Sequence, residues 1–220
     1  MDKESLRQIL LEVRQGKSSV DQALEQLSDW PSADLECASL DTHRAVRRDF
    51  CETILAQFKT PQQTAQIAKA MSSHHQRFLI TRACPETFEA VAASCPTARY
   101  RATSRLIEVV GQSSVNSEPS ATPFQPQFEN YAVVACAGTS DLPVAEEALY
   151  TARFLGCECH LVTDIGVAGL HRVLKHRQLL TGASLVVAVA GMEGALASVL
   201  GGLVRCRAAS RCPAPERSAR

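Results

Sequence analysis

The chain lacks an excess of charge of either sign: 23 Lys plus Arg stand against 23 Asp plus Glu in 220 residues. That balance argues against a nucleic-acid or anionic-membrane partner held by bulk charge. A long apolar run is also missing. A stretch such as Ala183 to Ala190 suits a buried strand and falls short of the roughly 18 to 20 residues that span a bilayer. The start, Asp2-Lys3-Glu4, is not an apolar signal core, and a cytoplasmic location is expected. Nine Cys, an odd number, are scattered without metal-type spacing. Cys157-Glu158-Cys159 is the only close pair, and alternate strand residues face opposite ways, so it reads poorly as a zinc site. Small, buried, reduced thiols of an intracellular protein are the plainer reading.

What is present is 45% hydrophobic and 21% charged, an ordinary globular mix for one large or two small domains. The most informative segment is Ala137-Gly138-Thr139-Ser140-Asp141-Leu142-Pro143-Val144-Ala145-Glu146-Glu147-Ala148. It follows the apolar run Tyr131 to Cys136 and opens a helical pattern. A buried strand, a small-residue turn and a helix N-terminus in that order suit an anion. The turn lacks the Lys of a Walker-type loop and the spaced glycines of a dinucleotide fingerprint.

Residues 4 to 28 read as two helices, the first ended by Gly16 and the second capped by Ser18 or Ser19. Such a pair cannot bury its own apolar face, so docking on the rest or on another subunit is expected. A Pro-containing loop opens 30 to 60, followed by the charged stretch Ser39 to Arg48 and an apolar segment, Phe50 to Phe58. Thr60-Pro61-Gln62-Gln63 predicts a helix start, with Thr at the cap, and a helix to about Ser72. A strand at 77–82, a helix at 85–94 and a strand at 98–102 imply a small α/β layer. Residues 111–130, rich in Ser, Pro, Gln and Asn, read as a linker. From 131 the expected order is strand 131–136, helix 142–155, strand 158–162, helix 169–179, strand 184–189 and helix 193–204. That alternation predicts parallel βαβ units with ligands at the carboxyl ends of the strands.

All three strand exits carry suggestive residues: Gly138 to Asp141, then Asp164 to Arg172, then Ala190 to Ala195. Ala137 to Ala148 (AGTSDLPVAEEA), Gly166 to Arg172 (GVAGLHR) and Val189 to Leu203 resemble, in that order, the LarB family of nickel-pincer cofactor biosynthesis. More distantly they resemble PurE, the aminoimidazole ribonucleotide carboxylase/mutase of de novo IMP biosynthesis. Upstream, Leu40 to Arg48 is similar to the family's LDxHRAxR stretch. The resemblance runs from about residue 5 to 204. It implies a PurE-like, flavodoxin-like parallel three-layer α/β/α sheet at 131–204, an N-terminal helical and small α/β region at 1–110, and a homo-oligomer. It also implies carboxylation of the pyridinium ring of nicotinic acid adenine dinucleotide, with CO₂ or bicarbonate as co-substrate, and hydrolysis of the phosphoanhydride.

On that reading Gly138, Thr139, Ser140 and Asp141 anchor phosphate and ribose, and Asp141 is a candidate for holding Mg²⁺. An ordinary helix cap is the alternative for Ser140 and Asp141. His171 handles a ring proton, because imidazole titrates near neutrality, and Arg172 offers a planar fork to phosphate. Glu193 is the best-placed carboxylate for the ribose or ring, beside Gly191, where small residues let backbone approach. Met192 reads as wall. Arg44 and Arg47 of the N-terminal motif, with Asp41 and His43, are candidates for gripping phosphates from one helical face. Solvated surface is the plain alternative for His171-Arg172 and for the N-terminal motif, and a helix N-terminal acid is the alternative for Glu193.

Two departures stand out. Asp49, Cys51, Ala56 and Phe58 occupy positions where the family pattern has Gly, Pro, Gly and Gly, while Glu52 and Lys59 match it. After Val204 the resemblance stops, before the segment that would bring a fourth strand and a Cys-containing loop proposed to supply the covalent nucleophile. Residues 205–220 read as a basic, atypical tail, expected to be disordered. Three strands without a fourth would leave an open edge. A truncated, weakly stable and inactive member is therefore the expectation, with a non-catalytic nucleotide-binding protein or an aminoimidazole ribonucleotide carboxylase-like enzyme as alternatives.

Overall fold

The computed structural model describes residues 3–27, 32–35, 38–41, 44, 52–74, 77–110 and 130–211. The chain divides into two compact units, Met1–Pro119 and Ser120–Arg220.

In the first unit, α1 (Lys3–Arg14) and α2 (Val20–Gln26) are the two expected helices. Gly16 follows α1 with φ at +70°, a conformation that suits glycine. Ser19 caps α2: its Oγ accepts from Gln22 N at 3.1 Å, and Gln22 Oε1 accepts from Ser19 N at 2.9 Å. The loop expected after residue 30 is instead partly a hairpin, with β1 (Ser32–Leu35) antiparallel to β2 (Ala38–Asp41). Of β2 only Leu40 is buried, so the strands carry too little apolar alternation to be read from pattern.

A four-stranded sheet follows, built from β3 (Ile54–Leu55), β4 (Arg77–Thr81), β5 (Ala98–Arg101) and β6 (Leu106–Val110) in the order β3-β4-β6-β5. The sequence reading missed β6, which is antiparallel to both β4 and β5. Helices α3 (Pro61–His74) and α4 (Pro85–Ser94) complete the layer. Thr60 caps α3 as expected, its Oγ1 accepting from Gln63 N at 3.1 Å. Ile67, Met71, Phe78, Ile80, Val91 and Ile107 share one core, each such side chain contributing about 1.5–3 kcal/mol by leaving water.

The second unit is a parallel sheet of β7 (Ala132–Cys136), β8 (Cys159–Val162), β9 (Leu185–Val189) and β10 (Arg207–Arg211), in the order β10-β9-β7-β8. Helices α5 (Leu142–Phe154), α6 (Leu170–Lys175), α7 (Arg177–Gly182) and α8 (Ala195–Leu203) connect the strands. Successive strand side chains face opposite ways, and the central strand shows it. Val133 and Ala135 join Val173, Leu180, Leu196 and Leu200 in one core, while Val134 and Cys136 join Ala145 and Leu149 in another. Cover on both faces is why β7 and β9 read as continuous apolar runs rather than alternating ones. The fold class is thus the expected flavodoxin-like α/β arrangement.

Two expectations fail here. The helix read across 169–179 is two helices, with His176 between them bonded back to Val173 O. The edge of β9 is not open, because Arg207–Arg211 of the supposed tail pairs with it in register from Leu185 to Val189. A parallel ladder needs backbone groups from its partner, not apolar side chains. Arg207 to Ser210 therefore serve although all four are exposed.

Candidate functional site

Ligands of open parallel sheets lie beyond the carboxyl ends of the strands, where the strand order reverses. Here that point falls between β7 and β9, because the chain leaves β7 first for β8 on one side and then for β9 on the other. The exit of β7 is therefore the centre, flanked by the exits of β8 and β9. Backbone bonds draw the three together: Ala137 N donates to Val189 O at 2.9 Å, and Ile165 N to Cys136 O at 3.1 Å.

Asp141 organises the first loop. Residues Thr139–Asp141 make a single tight turn before α5, and Asp141 is 7% exposed. Its Oδ2 accepts from Gly138 N at 3.1 Å. Its Oδ1 faces the third loop, 3.1 Å from where a Cβ on Gly191 would stand. The carboxylate thus occupies the Gly138 N–H that the sequence reading offered to phosphate. Thr139 and Ser140 remain exposed at the entrance. Cys136 donates its S–H to Gly138 O at 3.1 Å. Burial, and then the neighbouring Asp141, push this thiol up to about 11, so it stays protonated and poorly nucleophilic.

In the second loop, Arg172 Nη1 donates to Asp164 Oδ1 at 2.6 Å. The loop backbone closes around the guanidinium: a Cβ on Gly169 would lie 2.7 Å from Arg172 Nε. A Cβ on Gly166 would meet Arg172 Nη2 at 3.6 Å and Ala137 O at 3.3 Å. The fork thus lies one glycine away from the exit of β7. His171 is exposed at the second position of α6. The sequence reading missed Asp164 as the partner of Arg172. An acid just past a strand and an arginine eight residues on, with glycines between, was the available signal.

In the third loop Gly194 N donates to Gly191 O at 3.0 Å, and Gly194, with φ at +67°, begins α8. Glu193 precedes that helix and is exposed, so it does not act as its first-turn acid. Met192 takes φ at +55° and is 95% exposed, a position where it contacts little of its own unit.

The N-terminal motif lies in the other unit. Glu52 gathers it, its Oε2 accepting from Asp41 N at 3.2 Å and its Oε1 lying 3.7 Å from Arg44 Nη1. Arg47 and His43 fall outside the described residues, as does the proposed pairing of Arg44 with Arg47 on one helical face. Among the described residues no three His, Cys, Asp or Glu side chains gather as a metal site.

Residues 32–111 match the model of the LarB/PurE-like N-terminal domain. That segment is similar to the N-terminal domain of the LarB/PurE-like family. The matched segment runs from the β1–β2 hairpin through β6 and includes the Asp41, Arg44 and Glu52 cluster. An uncharacterised protein of Methanocaldococcus jannaschii is 44% identical over 73 residues, which are 32% of this chain and 28% of that relative. The chain thus spans less than a third of the length of that relative. The match supports a relationship to a carboxylase family. No described helix is long and apolar enough to cross a membrane.

Proposed function

We propose that this chain binds nicotinic acid adenine dinucleotide, or a closely similar nucleotide, at the β7–β9 switch point. One observation carries the reading: the buried Asp141 accepts from Gly138 N–H with one oxygen and turns the other toward Gly191, so that two of the strand-exit loops meet at it. In this reading Thr139 and Ser140 meet phosphate at the entrance to α5, and Arg172 adds its fork from the second loop. Gly191 lets the pyridinium ring and CO₂ or bicarbonate approach backbone, His171 takes the ring proton, and Glu193 contacts the ribose. The exposure of His171 and Glu193 suits groups that a bound ligand would cover. A Mg²⁺ ion fits only as a passenger on the pyrophosphate. Asp141 is a single carboxylate with one oxygen already accepting an N–H, and Mg²⁺ tolerates one protein carboxylate when phosphate and water complete its shell.

A non-catalytic form of the same binding is favoured by the thiols. Cys136, the cysteine at the exit of β7, is buried and its thiol is pushed up to about 11, so it is a poor nucleophile for a covalent step. The 220-residue polypeptide is therefore expected to bind the dinucleotide without steady-state release of AMP. Calorimetry with the dinucleotide, run beside a chromatographic assay for AMP, tests both halves. Absence of binding to the dinucleotide and to AMP sinks the reading, and AMP release under multiple turnover sinks the non-catalytic form.

A further inference from the structure

We infer that Asp164 is a positioning residue for Arg172, holding the guanidinium fork at the mouth of the β7 exit so that it meets the nucleotide phosphate already aimed. The inference rests on the nucleotide reading above. Three features of the loop support it. First, the ion pair is short, 2.6 Å, yet its side chains are 34% and 63% exposed. Pairs this exposed contribute little to stability, about 0–1 kcal/mol by measurement on other proteins, so folding alone gives it little reason to be there. Second, the loop accepts costs to make it. Asp164 sits at φ +55°, a region non-glycine residues adopt sparingly, and Gly169 leaves no room for a Cβ beside Arg172 Nε. Third, the acid binds only Nη1 through Oδ1, and a guanidinium carries five N–H donors in a fixed plane. The remaining edge is oriented by the pair rather than used up by it. Gly166, wedged between Nη2 and Ala137 O, places that plane next to the central loop.

Orientation ahead of binding improves affinity because fewer rotamers are lost when the ligand arrives. The opposite role is also physically conceivable, with Asp164 competing with phosphate for the same fork, and the two roles predict opposite signs. The test measures binding of nicotinic acid adenine dinucleotide and of AMP by calorimetry to the full chain and to Asp164→Gly, Asp164→Asn, Arg172→Ala and the Asp164→Gly/Arg172→Ala double variant. Glycine suits the left-handed backbone at 164 while removing the carboxylate, and asparagine suits it while keeping a hydrogen-bond acceptor. Asp164→Gly is expected to weaken dinucleotide binding about tenfold, Asp164→Asn less, and Asp164→Gly to add nothing once Arg172 is Ala, the non-additivity that marks residues acting as one unit. Melting temperatures of both single Asp164 variants should stay near that of the parent. Binding by Asp164→Gly that equals or exceeds the parent overturns the positioning role, as does full additivity with Arg172→Ala. If the parent itself binds neither probe, the nucleotide reading fails and takes this role with it. If the parent binds and the variants match it, only the role of Asp164 fails.

Discussion

Asp141 Oδ1 lies 3.1 Å from the position a Cβ on Gly191 would take, so the first and third strand-exit loops meet at a buried carboxylate and a residue with no side chain. Contacts at 3.1 Å are tighter than ordinary van der Waals packing, and a packed interior gives way only by small shifts. The neighbour of Gly191 is a short, buried side chain already held by Gly138 N–H, so it has little room to retreat.

Gly191→Ala should therefore disturb the site more than the fold. The expected result is dinucleotide affinity reduced about tenfold, the scale on which small misplacements act at a pre-organised site, with the melting temperature lowered by only a few degrees, the shift that about 1 kcal/mol produces in a domain of this size. Unchanged affinity in a calorimetric titration would show that the third loop takes no part in binding.

Removing the carboxylate tests the other side of the same contact. Asp141→Ala leaves the half-buried Gly138 N–H without its partner, a loss of about 1–2 kcal/mol. Asp141→Asn retains an acceptor oxygen and should recover most of that loss. Urea unfolding followed by circular dichroism measures it, and equal midpoints for parent and Asp141→Ala would mean that the bond contributes nothing.

Phe58 stands at φ +68° and is 96% exposed, at a position where the family pattern has glycine. The left-handed conformation costs a residue with a Cβ roughly 1–2 kcal/mol, partly offset by glycine's greater loss of freedom on folding. Phe58→Gly should thus stabilise the first unit by about 0.5–1 kcal/mol, read as a higher urea midpoint at unchanged slope. A lower midpoint would reveal packing of the ring. Ala56, also in place of a glycine, joins the core, so the same gain is not expected there.

His160 should make the second unit sensitive to mild acid. Burial, assisted by Arg153 and opposed by Glu158, holds its imidazole below the usual 6.5. The unfolded chain then binds the proton more readily than the folded one, so stability is full above about pH 6.5 and falls as pH drops toward the lowered folded value. The melting temperature is expected to fall between pH 7.5 and 5, with a shallower fall in His160→Gln. Parallel profiles for the two proteins would remove His160 as the cause.

Thiol reactivity separates the cysteines by burial. Burial, opposed at Cys159 by Arg153 and reinforced at Cys136 by Asp141, pushes both Cys136 and Cys159 up to about 11, whereas Cys157 is exposed. At pH 8 iodoacetamide should label Cys157 well before Cys136 or Cys159, as peptide mass spectrometry can follow. Rapid native-state labelling of Cys136 would return it as a candidate nucleophile and weaken the non-catalytic reading.

The second unit was legible in the sequence because its strands are buried on both faces. Runs such as Ala132 to Cys136 and Leu185 to Val189 need no partner to be recognised, and the small-residue exits mark where they end. Helix starts were equally local: Thr60 with Gln63, and Ser19 with Gln22, close their caps within four residues. Apart from β6, an apolar run at Leu106–Val110, the strands missed were those whose identity comes from a neighbour. β1 and β2 pair with each other over little apolar surface, and β10 has no buried residue among Arg207 to Ser210 yet completes the ladder on β9.

Site residues divide in the same way. Sequence alone singled out the three strand-exit loops as the candidate site, because residue type and spacing at strand exits are local properties. Tertiary structure decided what each residue there contacts. It gave one oxygen of Asp141 to Gly138 and turned the other toward Gly191, tied Arg172 to Asp164, and closed Cys136 against Gly138 O. Those outcomes depend on which strand lies between which others. The order β10-β9-β7-β8 brings the exits of β7 and β9 together although some fifty residues of chain separate them. Contacts of that range follow from the packing of the whole sheet, which no short stretch of sequence encodes.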